Sequence, residues 1–145
     1  MNKHIYLHRF FFEKDNPYYS LTMKQKFLLN VLFSLCDENG KVIVRRRIIQ
    51  DIMKMERSTC RHLLKKLEVA GYLMRKPSEI DVALPEQLKH TEKILIDDEL
   101  IYGKYKHLTH GAKVFYTYYR DQQKKYNVDC IQKKARDFIE PMGQT

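Results

Sequence analysis

Apolar residues recur every three or four positions in three stretches between residues 22 and 70, and this spacing predicts three amphipathic helices. Ser20 or Thr22 is placed to cap the first helix, and Ser58 or Thr59 to cap the third. Gly71 follows the third stretch, where glycine commonly ends a helix. The positions predicted to face the core are Phe27, Leu28, Val31, Leu32 and Leu35, then Ile48, Ile49, Ile52 and Met53, then Cys60, Leu63, Leu64 and Leu67.

Short segments between and after these helices have the composition of strands. Residues 41–44, Lys-Val-Ile-Val, follow a turn signal and predict a short strand. Residues 73–76 and 80–84 predict a hairpin, and Pro85 ends its second strand because proline cannot donate to a ladder. Residues 5–12 are aromatic and predict a strand or an arm packed on the body of the protein.

The order of these elements is helix, strand, helix, tight turn, helix and hairpin. This order resembles a winged helix-turn-helix. The resemblance implies an α+β, mostly helical fold in which residues 58–66 enter the major groove of duplex DNA. The short hairpin would be the wing, which we expect to contact only the DNA backbone.

The charge of the chain supports an anionic partner. The 145 residues carry 27 Lys and Arg against 18 Asp and Glu, a net charge of +9. Residues 43–66 alone hold eight basic and two acidic side chains, a net charge of +6. Such a field favours nucleic acid or a membrane surface, although solubility also favours net charge. No apolar run approaches the roughly 20 residues of a membrane-spanning helix. The positive charge is concentrated on the predicted DNA-reading helices, so duplex DNA is the predicted partner.

Three consecutive arginines at the predicted start of the second helix are the first candidate DNA contacts. Cations at a helix amino terminus oppose the helix dipole, whereas a phosphate there would attract both the arginines and the free amide groups. The alternatives are a solvated basic loop or pairing with Asp37 and Glu38. The residues predicted to contact DNA are Arg45, Arg46, Arg47, Arg57, Ser58, Thr59, Arg61, His62, Lys65, Lys66, Arg75 and Lys76.

The exposed face of the third helix is the candidate for reading bases. Arg61 and Lys65 are one turn apart, and an arginine can bond the O6 and N7 atoms of guanine. The alternative is an ordinary solvated face, since any surface helix carries Lys and Arg. Arg75 and Lys76 would contact phosphate from the hairpin, with Glu79 weakening that contact.

An internal repeat relates two parts of the chain at a constant offset of 87 residues. Tyr18, Leu21, Thr22 and Lys26 are repeated as Tyr105, Leu108, Thr109 and Lys113. The repeat predicts a DNA-binding lobe at residues 1–93 and a second, partial winged-helix-like helical lobe at residues 94–145. This second lobe either belongs to a longer protein with two winged helices or serves for packing and dimerisation.

Aromatic residues concentrate in the second lobe. Residues 108–119 include Phe115, Tyr116, Tyr118 and Tyr119 at helical spacing. Packing between lobes or protomers is favoured over stacking on single-stranded bases, because aromatic residues dominate cores and interfaces. We therefore expect a homodimer, with residues 108–119 as a possible surface for a protein partner.

One helix of the second lobe also resembles a known family. Residues 105–116 read Tyr-Lys-His-Leu-Thr-His-Gly-Ala-Lys-Val-Phe-Tyr. This segment is similar to the opening helix of the replication initiator A amino-terminal family of plasmids from low-GC Gram-positive bacteria. The resemblance implies DNA binding in plasmid replication initiation or in transcription control. A conjugation accessory protein and a winged-helix protein-interaction adaptor are the alternatives.

Enzymatic chemistry has little support in the sequence. The chain has no phosphate-cradling glycine loop and no His-Glu-x-x-His motif. Its three cysteines, Cys36, Cys60 and Cys130, are far apart and predict reduced thiols instead of a zinc site. We expect a cytoplasmic protein that is not an enzyme and has no cofactor or metal.

Overall fold

The computed structural model describes residues 3–126 of the chain. About 53% of these residues are helical and 13% are in strands, which confirms the α+β, mostly helical class. No helix within this range combines the length and the apolar character needed to cross a bilayer. The predicted remainder of the second lobe, including Cys130, lies outside the described residues.

The first helix, α1, spans Met23–Leu35 and is the best buried element of the fold. The Thr22 hydroxyl accepts a hydrogen bond from the Gln25 backbone N–H, and the Gln25 side chain accepts one from the Thr22 backbone N–H. This reciprocal arrangement satisfies two donors at the helix start, so the predicted cap by Thr22 is confirmed. All five predicted core positions of this helix are buried.

The second and third helices, α2 and α3, span Arg46–Met53 and Arg57–Val69. The prediction that Ser58 or Thr59 caps α3 is wrong. The carbonyl of Glu56 already accepts the first helical hydrogen bond, from the N–H of Cys60, so both hydroxyls lie in the first turn. The burial of Ile48 was also predicted wrongly, because Ile49, Ile52 and Met53 form the buried stripe and leave Ile48 44% exposed.

Three short strands form one antiparallel sheet beside these helices. They are β2 (Lys41–Val42), β3 (Leu73–Arg75) and β4 (Ile80–Val82), in the order β2-β4-β3. Each is shorter than predicted but lies at the predicted place. Gly71 has a φ of 90°, a conformation that costs glycine little, and it turns the chain from α3 into β3 as expected.

A second sheet pairs the first strand of the described chain with the last one. Strand β1 (Ile5–His8) pairs antiparallel with β5 (Lys93–Ile96), with Ile5 opposite Ile96. Residues 9–12 form a 3-10 turn, so the aromatic segment is part strand and part packed arm. The predicted boundary between residues 93 and 94 falls inside β5, and the division into 1–93 and 94–145 stays a prediction.

Two strand–helix units occupy the two halves of the predicted repeat. After β5 come the short helix α4 (Asp98–Ile101) and the long helix α5 (His110–Tyr126), which packs on α1. Thr109 accepts a hydrogen bond from the Ala112 N–H near the start of α5, much as Thr22 does at α1. We call β1 with α1 the first repeat and β5 with α5 the second repeat.

Candidate nucleic-acid interface

A cleft of about 800 Å³ opens between α2, α3 and the β3–β4 hairpin. Six of its lining side chains are cationic and two are acidic. The cationic ones are Arg46, Arg47, Arg57, Arg61, Arg75 and Lys76. The structure therefore brings half of the twelve predicted DNA-contacting residues to one concave surface, although they come from three different elements.

The start of α2 carries its arginines without acidic compensation. Arg45 is the residue before the helix, Arg46 and Arg47 are in its first turn, and that turn contains no acidic residue. None of the three pairs with Asp37 or Glu38, since the Asp37 carboxylate accepts only backbone N–H bonds from Asn39 and Lys41. Positive side chains beside the positive end of a helix dipole make this a surface that attracts anions.

The outer face of α3 contains the predicted base-reading residues. Thr59, Arg61, His62, Lys65 and Lys66 are all exposed, whereas Cys60, Leu64 and Leu67 are buried on the opposite side. Ser58 and Arg57 are exposed in the first turn of the helix. The sequence of α3 therefore correctly predicts which face of the helix is polar and exposed and which is apolar and buried.

Six of the cations in this region make no side-chain hydrogen bond or ion pair within residues 3–126. They are Arg45, Arg47, Arg57, Arg61, Lys65 and Lys66. Arg57 and Arg61 also border a second, more open groove together with Glu56 and Ser58. The two arginines therefore project from a ridge between two grooves and can approach a ligand from either side.

The hairpin cations are, by contrast, paired with carboxylates of the protein. The Arg75 guanidinium donates to Glu68 at 2.9 and 3.1 Å, and the Arg75 backbone N–H donates to the same carboxylate at 2.8 Å. The Lys76 ammonium lies 2.7 Å from the Asp81 carboxylate. The hydrogen bonds from the Arg75 N–H groups lower the pKa of Glu68. The contact with Asp81 raises the pKa of Lys76. Both carboxylates hold the hairpin cations in place.

Arg46 differs from its two neighbours in being half-buried. Its guanidinium donates to the backbone carbonyl of Lys76 at 2.9 Å, which ties α2 to the hairpin. Burial lowers the pKa of Arg46, and the nearby charge of Arg75 lowers it further. Arg46 therefore has a structural contact, while its charge still faces a cleft with excess positive charge.

The sequence interpretation missed the other polar residues of this cleft. Gln50, Asp51 and Glu68 line it as well. Nothing in the spacing of Glu68 and Arg75 shows that the turn at Gly71 brings them together. Gln50 lies one turn after Arg46 and Arg47 on α2, so helical periodicity would have placed it on the same face.

Metal-ligating and thiol side chains in residues 3–126 give little support for another kind of site. Among residues 3–126 no group of three His, Cys, Asp or Glu side chains is arranged to hold a metal ion. Cys36 and Cys60 are free thiols, and burial raises the pKa of both.

Comparison of the chain with protein-family models, with curated proteins and with solved structures found no match.

Proposed function

We propose that this protein binds duplex DNA as a winged helix-turn-helix. In this proposal α1, α2 and α3 form the helical body, β3 and β4 form the wing, and α3 enters the major groove. The proposal depends mainly on one observation. Six cations on α2 and α3 have no side-chain partner within the described residues, whereas the two hairpin cations are paired with carboxylates.

Each group of cations has its own role in the proposed complex. Arg45 and Arg47 contact phosphates beside the start of α2, where free amide groups also point outward. Arg61 and Lys65 project from one face of α3 and reach base edges. Arg75 and Lys76 keep their carboxylate partners. They therefore contribute less to DNA binding than their positions in the sequence predict. In this arrangement the wing orients the protein on the DNA but contributes little to its affinity.

The biological setting we propose is a plasmid or another mobile element. It is supported by the similarity of residues 105–116 to the opening helix of replication initiators. Replication initiation and transcription control both fit a duplex-binding protein of this kind. A conjugation accessory protein is the alternative within the same class.

Salt dependence of binding tests the proposal directly. Binding of a random-sequence duplex should be followed by fluorescence anisotropy at several salt concentrations. Each phosphate contact contributes about 0.9 to the slope of log K against log salt. The double variant Arg45→Ala/Arg47→Ala should therefore flatten the slope by about 1.8. The matched control is Lys24→Ala/Lys89→Ala, which removes the same charge from two exposed lysines outside the cleft.

Equal slopes for the two double variants would contradict the assignment, because net charge alone would then explain the binding. Failure of the wild-type protein to bind duplex DNA at low salt would contradict the proposed function as a whole.

The second candidate function is a protein-interaction adaptor, and the exposed aromatic side chains of α5 favour it. Salt-insensitive binding to a partner protein, without binding to DNA, would support that alternative.

A further inference from the structure

The outer face of α5 is exposed where the same face of α1 is buried. At the repeat offset of 87, Leu28, Leu29 and Leu32 of α1 correspond to Phe115, Tyr116 and Tyr119 of α5. The three leucines are fully buried. Phe115 and Tyr116 are 38% and 47% exposed, and Tyr119 is only partly buried. The two helices thus present the same face to different surroundings.

The inner faces of the two helices do not differ in this way. Lys26 and Lys113 are both fully buried, and so are Phe27 and Val114. These residues lie toward the contact between α1 and α5, where the Lys113 ammonium is 5.9 Å from the centre of the Phe27 ring. At these inner positions the two repeats agree, whereas the leucine face of α1 lies in the core and the matching face of α5 is partly exposed.

Aromatic side chains on an outer helix face are typical of an interface. Phe115 and Tyr119 are stacked with ring centres 6.0 Å apart, and together with Tyr116, Arg120 and Gln123 they line a shallow groove. Aromatic residues and arginine are the types enriched at protein–protein contacts. We name this groove the α5 patch.

The charge around the α5 patch distinguishes between possible occupants. Beside it lies a depression whose lining has three acidic and three basic side chains: Asp97, Asp98, Asp121, Lys93, Arg120 and Lys124. The chain as a whole has a net charge of +9, so two copies repel each other over most of their surfaces. Repulsion is smaller between two rims of balanced charge, in which Arg120 already lies 3.5 Å from Asp97 and Arg9 is bonded to Asp121 within each copy. The same balance gives DNA little attraction there.

From these observations we infer that the α5 patch binds a second copy of this chain through the same patch. In such an isologous contact each residue meets its counterpart across a two-fold axis. Tyr116 and Tyr119 would pack against the aromatic residues of the other copy. Lys124 would lie near an acidic residue of that copy, while Arg120 keeps Asp97 of its own copy as a partner. The cleft between α2, α3 and the hairpin is not part of this contact, so both copies keep it open.

Sedimentation equilibrium of the full chain, at high and low protein concentration, tests the inference. The wild-type chain should self-associate, and Tyr116→Glu should raise the dissociation constant at least about tenfold, because it buries an unpaired charge. The matched control is Val69→Glu, which places the same charge on an exposed apolar residue at the end of α3. This control should associate like the wild type.

A wild-type chain that is monomeric at all concentrations would overturn the inference, as would equal weakening by both glutamate variants. Thermal unfolding at a concentration where the wild type is monomeric provides the remaining test. Tyr116→Glu should leave the unfolding temperature of the monomer unchanged, because the side chain is exposed in one copy. A large decrease would overturn the inference, since the patch would then be covered by the same chain.

Discussion

The two repeats share a framework of one strand and one helix but differ in the outer face of the helix. Each has a strand that pairs with the other repeat and a helix that packs on the other helix. In the first repeat the outer helix face is made of leucines that are fully buried in the hydrophobic core. In the second repeat aromatic residues occupy the corresponding positions and remain exposed. The inner face therefore maintains the fold, while the outer face is free to take a different role.

The largest expected effect comes from truncating the same position in each repeat. Leu29→Ala should lower the free energy of unfolding by roughly 2–5 kcal/mol, because it leaves a cavity at a fully buried position of the core. Tyr116→Ala, at the matching position, should change it by less than about 0.5 kcal/mol, as expected of a surface residue. Urea denaturation at a concentration where the chain is monomeric measures both. Similar losses would show that the two outer faces are equally buried.

The buried lysines provide a pH test of what the repeats share. Burial lowers the pKa of both Lys26 and Lys113 to about 8. Between pH 8 and pH 10 the unfolded chain binds more protons at these residues than the folded chain does. The contribution of these lysines to the free energy of unfolding should therefore rise with pH in this window, by roughly 1–2 kcal/mol for each lysine. The thiols of Cys36 and Cys60 act in the opposite direction, because burial raises their pKa.

Denaturation of Lys26→Met/Lys113→Met at pH 8, 9 and 10 checks this expectation. The wild type should gain stability relative to the double variant as the pH rises, and the exposed-site control Lys89→Met should behave like the wild type. The range stops at pH 10 because burial raises the pKa of Tyr18 to about 12, and ionisation of this residue in the unfolded chain acts in the opposite direction. Parallel pH curves for the wild type and the double variant would contradict the assignment to these lysines.

The next effect concerns the elements that cover the first repeat only. Arg61→Ala should weaken binding to the preferred duplex by roughly 1–3 kcal/mol if this arginine reads a guanine. Binding to a random duplex should fall much less, because a phosphate contact does not depend on sequence. Selection from a random pool supplies the preferred duplex, and competition titrations measure both affinities. Equal losses would make Arg61 a phosphate contact.

The smallest expected effect comes from releasing a hairpin cation. Glu68→Gln removes the negative charge that holds the Arg75 guanidinium. Arg75 can then contact a phosphate, so the salt slope of binding should steepen by up to about 0.9. Glu86→Gln, at an exposed carboxylate outside the cleft, removes the same charge and should leave the slope as it is. A flatter slope in Glu68→Gln would mean that Glu68 is needed to orient the hairpin for binding.

Local sequence patterns predicted most of the fold. Helical spacing located α1, α2 and α3, and the glycine at position 71 located the end of α3, because both depend on nearby residues. The antiparallel pairing of β1 with β5 could not be predicted, since it joins residues about 90 positions apart and no local pattern records it. The carboxylate partners of Arg75 and Lys76 were missed for the same reason. Their pairing depends on how the hairpin folds back on α3.

The pairing of Ile5 with Ile96 also constrains the order in which the chain can fold. Strand β1 is made early in synthesis, but its partner emerges only after the three helices and the hairpin. Closing so long a loop carries an entropic cost, and contacts of this kind form slowly. Until β5 is available, strand β1 can pack on α1 but has no strand partner for its backbone groups. A chain cut before residue 93 would stay in this state permanently, with an open strand edge that invites aggregation.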